Sequence, residues 1–122
     1  MANEIKLTGT LEVNKGGVKA ILAAASGKLL NMTGKNVIHK TQAIGFAARE
    51  ALDLGDVVTP GVSIFWNHDP TNAITLYPDG TDLGLVTMKA GETAGPFRLA
   101  SATPFAQSGV ASCDLEYMIV ED

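Results

Sequence analysis

Residues 61–99 read GVSIFWNHDPTNAITLYPDGTDLGLVTMKAGETAGPFRL, and this stretch decides the fold. It holds three extended segments, residues 62–67, 72–77 and 85–88, which are rich in β-branched and aromatic side chains. Asp79-Gly80 is a tight-turn dipeptide between the second and third segments, because glycine and aspartate both tolerate turn conformations. The stretch therefore predicts a compact sheet protein.

The amino-terminal third predicts a β-hairpin. Residues 4–13 alternate between apolar and polar side chains, with Ile5, Leu7, Leu11 and Val13 on one face, which indicates a half-buried strand. Residues 14–17, Asn-Lys-Gly-Gly, supply the turn, and residues 18–25 return. The alanine-rich segment 18–30 is compatible with a helix, but the glycines on either side favour a strand.

The middle of the chain is less regular. Residues 31–40 are polar and lysine-rich, which indicates an exposed loop. Residues 41–54 fit either two short strands or one strand and one turn of helix centred on residues 47–52. We expect a further strand at residues 96–100 and a terminal strand at 112–120, whose later residues are apolar on both faces. That pattern predicts a central or covered strand.

Seven to nine strands at spacings of about ten residues are typical of an all-β fold. The expected architecture is an antiparallel β-sandwich or jelly roll with little helix. A chain of 122 residues has the size of one domain, so residues 1–122 are predicted to form a single β-sandwich domain.

Composition excludes several partners. The chain is 46% hydrophobic and 18% charged, with a net charge of -4 and no basic cluster, so nucleic-acid binding is not expected. The longest nearly uncharged run, residues 20–32, is too short for a membrane helix. The first residues lack the pattern of a secretory signal, which predicts a protein made and kept inside a cell or delivered by lysis. Cys113, the only cysteine, is expected to be a buried apolar group.

Few residues suggest catalysis. His39 and His68 are the only histidines, so a site with three imidazoles is impossible. His68 beside Asp69 could form a general base, and Asp69 or Asp79 could join it around a cation. The surrounding Asn67–Asn72 segment has the composition of a hairpin turn, which is the favoured interpretation. We predict no enzyme activity, no cofactor and no metal; a small hydrolase or metal enzyme centred on His68 and Asp69 is the weaker alternative.

Aromatic side chains indicate a contact surface. Phe65 and Trp66 are neighbours in a strand, so one should enter the core and the other should face outward. Trp66, Tyr77 and Phe97 could form a platform for stacking sugars. Core packing or contact with a partner subunit is favoured, and Trp66 and Tyr77 are the candidate subunit or ligand contacts.

The chain resembles small structural proteins of tailed-bacteriophage virions, of the capsid cement or decoration type. The resemblance covers residues 50–122 together with the first strand and its Lys-Gly-Gly turn. Its motifs are Ala-Leu-Asp-Leu-Gly at 51–55, Thr-Pro-Gly at 59–61, the 67–72 turn, Met-Lys-Ala-Gly-Glu at 88–92 before Phe-Arg-Leu at 97–99, and the acidic finish at 116–122. The resemblance implies a non-enzymatic protein that binds the outside of an expanded phage head, often as a trimer.

The resemblance therefore implies a virion protein on the capsid surface, and the lack of a secretory signal fits assembly in the host cytoplasm. Its partners would be the major capsid protein and further copies of itself, as a homotrimer. Residues Ala2, Asn3, Glu4 and Ile5 are the candidate capsid contact, because a short arm can add to the edge of a neighbouring sheet. A tail or head-fibre component that binds host surface glycans is the alternative.

Overall fold

The structure is a computed structural model that describes residues 5–122, with the backbone alone described at positions 13–15, 18, 20 and 23–29. The described residues form ten strands and no helix, which confirms the predicted all-β class. These residues include no apolar helix long enough to cross a bilayer. The strands are β1 (Ile5–Lys15), β2 (Val18–Leu30), β3 (Val37–Ile44), β4 (Glu50–Ala51), β5 (Pro60–Asn67), β6 (Ile74–Tyr77), β7 (Val86–Met88), β8 (Thr93–Arg98), β9 (Phe105–Ser108) and β10 (Cys113–Glu121).

The chain forms two compact units, Met1–Thr33 and Gly34–Asp122. The first unit consists of the antiparallel pair β1–β2, so the predicted hairpin and the choice of strand over helix at residues 18–30 are confirmed. Gly16 and Gly17 both have positive φ in its turn, a conformation that glycine adopts without steric cost. The prediction of one domain over residues 1–122 stays a prediction.

The second unit is a sandwich of two four-stranded antiparallel sheets, with strand orders β3-β10-β5-β8 and β4-β9-β6-β7. Numbered one to eight from β3, these orders are 1-8-3-6 and 2-7-4-5. Consecutive strands from β3 to β6 therefore lie in alternate sheets, and the last strand returns beside the first. This is the jelly-roll topology, in which two Greek keys fold into a double sheet.

The core lies between the two sheets, because alternate residues of each strand point inward. In β10 the inward residues are Cys113, Leu115, Tyr117 and Ile119, all at most 2% exposed. Phe65 packs against Tyr117 and Phe97 with ring centroids 6.1 and 5.9 Å apart. Since β10 hydrogen-bonds to β3 on one side and β5 on the other, the prediction of a central terminal strand is confirmed.

Of the two interpretations of residues 41–54, two short strands is the one confirmed, since β3 ends at Ile44 and β4 spans Glu50–Ala51. Two other predictions from local composition are wrong. Residues 31–40 are not one loop, because β3 begins at Val37 and pairs with Val120 at the other end of the chain. The 67–72 segment does not join a hairpin, since β5 and β6 lie in different sheets. In each case the strand partner is remote in sequence, which local propensity does not encode.

The turn at Asp79-Gly80 works differently from the predicted pattern. The hairpin β6–β7 is joined by a loop of several residues, within which the Asp79 carboxylate accepts hydrogen bonds from the backbone of Thr81 and Asp82. These bonds lower the pKa of Asp79. Asp79-Gly80 therefore organises a longer loop and does not close a two-residue turn.

Candidate functional site

The exposed face of the sheet β3-β10-β5-β8 is the candidate site. Register places Met118 opposite His39 on one side and Ile64 on the other, and Glu116 opposite Trp66. We call this surface the outer sheet face and define it by six side chains: Val37, His39, Ile64, Trp66, Glu116 and Met118. The four apolar members expose 38–52% of their area. A continuous strip of partly exposed apolar side chains on one sheet is typical of a contact surface.

Glu116 binds two histidines at the centre of this face. Its Oε2 lies 2.6 Å from Nε2 of His39, and its Oε1 lies 2.6 Å from Nε2 of His68. Hydrogen bonds from His68 and then His39 lower the pKa of Glu116 below its usual range. Both carboxylate oxygens are thus engaged, and three side chains, from β3, from β10 and from the residue that follows β5, hold one another in place.

Trp66 lies beside this cluster with 46% of its area exposed. Its ring centroid lies 4.2 Å from that of His68, and its Nε1 donates a hydrogen bond to the carbonyl of Gly91 at 3.2 Å. The neighbouring Phe65 is 1% exposed. The structure therefore assigns Phe65 to the core and Trp66 to the surface, as the alternation of a strand requires.

A shallow depression of about 130 Å³ lies along this face. Trp66, Ile64 and Met118 line it together with the polar residues His39, Thr93 and Glu116. Its indole surface and hydrogen-bonding groups could hold a flat, partly polar ligand, since sugars and peptides bind to such combinations.

The pairing of His68 with Asp69 that the weaker alternative requires does not form. The partner of His68 is Glu116, and the Asp69 carboxylate accepts hydrogen bonds from the backbone of Thr71 and Asn72. Those backbone bonds lower the pKa of Asp69. The Asn67–Asn72 segment is thus a turn held by bonds from a side chain to the backbone, although it connects two sheets and not the strands of a hairpin. In the part of the chain that is described, no three His, Cys, Asp or Glu side chains are arranged to hold a metal ion.

The three aromatic residues of the suggested sugar platform do not meet. Trp66 lies on the outer sheet face, whereas Tyr77 is in the other sheet and Phe97 packs against Phe65. The guanidinium of Arg49 lies 3.7 Å above the Tyr77 ring, so that ring face is covered. Of the two predicted contact residues, Trp66 is the more accessible.

The remaining candidates lie in separate places. Ala2, Asn3 and Glu4 lie outside the described residues, and Ile5 begins β1 with 9% of its area exposed. Cys113 is 2% exposed, and burial raises the pKa of its thiol, which suits the expected apolar group.

A second cavity of about 180 Å³ lies in the second unit, with an almost wholly apolar lining that includes Leu76, Leu85 and Phe97.

The sequence interpretation missed four members of the outer sheet face: Val37, Ile64, Glu116 and Met118. A signal for two of them was present, because Glu116 and Met118 alternate with the buried residues of β10. Nothing local indicated that His39 would lie beside Glu116, since they are far apart in sequence. The pairing of β3 with β10 brings them together.

Comparison with known proteins gives no assignment. No protein-family model matches the chain, and no curated protein or solved structure is significantly similar to it. Function must therefore be argued from the surfaces described above.

Proposed function

We propose that this protein is a non-enzymatic structural protein of a bacteriophage virion, a capsid cement or decoration protein. It binds the outer surface of the head through the major capsid protein and associates with further copies of itself as a homotrimer. The observation that carries the proposal is the outer sheet face, a partly apolar surface on a rigid two-sheet sandwich. Such a face suits adhesion, because burying its exposed apolar area favours association by about 25 cal/mol per Å².

Physical requirements of a cement protein support the proposal. Such a protein holds neighbouring capsomers by many simultaneous weak contacts, so multivalency raises its overall affinity without a strong single site. A sandwich with short strands and a packed core provides stiffness. Jelly rolls also occur in viral capsid proteins, which is an analogy of fold and not evidence of function.

Binding to heads tests the proposal. Purified protein mixed with expanded phage heads that lack decoration should cosediment with them and saturate at several hundred copies per head. Cryo-electron microscopy of the saturated heads should place it on the outer surface. Absence of saturable binding, or binding only at the tail, would contradict a cement role.

Deletion of residues 2–5 tests the predicted shell contact. If this segment touches the capsid, the deletion lowers occupancy at a temperature well below the melting temperature of the free variant, which is measured separately because Ile5 is buried and pairs with Leu30. A matched control is Leu83→Ser, which alters a side chain 88% exposed elsewhere on the sandwich and should leave occupancy intact. Unchanged occupancy after the deletion would remove these residues from the contact.

Recognition of host glycans by a tail or head-fibre component is the second candidate. The exposed Trp66 ring next to His39, Thr93 and Glu116 favours it, because sugars stack on indoles and hydrogen-bond to such neighbours. Binding on a glycan array that is lost in Trp66→Ala and kept in Tyr77→Phe would support this function. Heads decorated normally by Trp66→Ala, with no glycan bound by the wild-type protein, would exclude it.

A further inference from the structure

The β1–β2 hairpin, which we call the arm, exposes apolar side chains that it does not cover. Leu11 and Leu22 are directly paired across the two strands and are 68% and 64% exposed. Ile21, paired with Glu12, is 60% exposed. The prediction of a half-buried first strand is therefore wrong at Leu11.

A sheet of two strands is marginally stable by itself in water and needs a further strand or a packed layer. Among the described residues this sheet has two strands, β1 and β2, so each of them has one edge that pairs with no other described strand. The exposed leucine pair is a site where such a layer can pack.

The net charges of the two units indicate which surface covers the leucine pair. Residues 1–33 contain four basic and two acidic residues, whereas residues 34–122 contain five basic and eleven acidic residues. The unit with the arm is thus net positive and the jelly roll is net negative. Arms of two copies repel each other weakly, whereas an arm and a jelly roll attract.

The outer sheet face has the matching chemistry. Register places Asp114 beside Glu116 on this side of the sheet, together with the exposed Ile64, Trp66 and Met118. The basic residue at its β8 edge, Arg98, lies opposite Val62 and forms an ion pair with Asp122 at 2.5 Å, so its charge is matched. This strip, with its acidic side chains, can therefore pack against the exposed Leu11–Leu22 pair of an arm that belongs to a net positive unit.

We propose that the arm of one copy packs on the outer sheet face of a second copy. The contact joins two different surfaces, so successive copies associate head to tail and close into a ring when the rotation between them permits. This inference rests on the proposed function, which requires the protein to self-associate. It deepens that function by assigning the two surfaces that hold the homotrimer together.

The oligomeric mass in solution tests the inference. Wild-type protein should have a mass of three copies of the 12.7 kDa chain by light scattering or sedimentation. The arm variant Leu11→Thr/Leu22→Thr and the face variant Met118→Lys should each have the mass of one chain. Val110→Thr, which alters a side chain 71% exposed outside both surfaces, is the matched control and should keep the wild-type mass.

Mixing the two defective variants gives the decisive result. The face variant keeps an intact arm and the arm variant keeps an intact face, so a mixture should form a pair of chains and no larger species. A misfolded variant could not restore association, so this result also controls for folding. Ile64→Lys serves as a second face variant.

Salt gives a further readout. Raising sodium chloride from about 50 to about 500 mM should weaken association about tenfold, because it screens attraction between the basic arm and the acidic face. Association that is insensitive to salt would contradict the charge argument.

Two outcomes would overturn the inference: a monomeric wild-type protein, or face variants that keep the wild-type mass, which would indicate contact between arms. Head binding is measured separately. A monomer that still decorates heads would refute the inference and leave the proposed function standing. An oligomer that forms through the arm and the face but binds no heads would support the contact and refute the cement role.

Discussion

Substitution of Asn67 by aspartate should loosen the junction between the two sheets. The side chain is fully buried, and its Nδ2 donates to the carbonyls of Asn72, Met88 and Lys89 at 2.8, 3.2 and 3.2 Å. Its Oδ1 accepts a hydrogen bond from the backbone of Asp69 at 2.9 Å. One amide thus ties the end of β5 to the segment before β6 and to the end of β7.

The expected loss follows from these contacts. In Asn67→Asp the shape is kept, but both donors are lost and a negative charge faces three carbonyl oxygens. The bond to Met88 is fully buried and the other two are partly buried. A buried carbonyl without a donor costs about 1–3 kcal/mol, so the free energy of unfolding should fall by about 4 kcal/mol. For a domain of this size the melting temperature should fall by about 15 °C.

Urea denaturation followed by the fluorescence of Trp66, the only tryptophan, measures this change. Asn72→Asp is the control, because it adds the same charge in the same turn while the donors of Asn67 stay in place. The free energy of unfolding of the control should fall by less than about 1 kcal/mol. Acidification should partly rescue Asn67→Asp, since a protonated carboxyl regains one donor. A loss below about 1 kcal/mol, or an equal loss in the control, would refute the reasoning.

Three further predictions concern titration and backbone geometry. Burial raises the pKa of Tyr117 to about 12, so its contribution to stability is complete below pH 10 and is lost as the pH rises through 12. The melting temperature of the wild-type protein should therefore fall at alkaline pH, and Tyr117→Phe should lack this decline. Bonds from His68 and His39 lower the pKa of Glu116, so its contribution to stability is fully present above pH 4.5 and is lost as the pH falls through its pKa in the folded protein. The melting temperature of Glu116→Gln should therefore decline less in acid than that of the wild-type protein. Gly95→Ala should lose about 2–3 kcal/mol in urea denaturation, because φ is +97° and a Cβ would lie 2.6 Å from the carbonyl of Ser63; unchanged stability would contradict this geometry.

Some of the candidate surface could be predicted from sequence and some could not. The alternation in β5 predicted that only one of Phe65 and Trp66 would be buried, and the structure confirms this. The position of His39 within a strand was missed, because its lysine-rich surroundings have the composition of a loop. Only pairing with Met118, remote in sequence, makes it part of the sheet. Local composition does not predict a strand partner that lies so far away in the sequence.

The sequence by itself determined where the chain extends and where it turns. Side chains that alternate in polarity require a strand with one covered face, and Asp69 and Asp79 bond to backbone groups only two or three residues ahead. These are short-range effects.

The tertiary structure alone decided the order of the strands, and with it the jelly roll, the Glu116 cluster and the composition of the outer sheet face. The physical reason is that a strand can pair with any other strand of suitable length and pattern. The choice among partners is made by packing of the whole core, in which Tyr117, Phe65 and Phe97 must fit together.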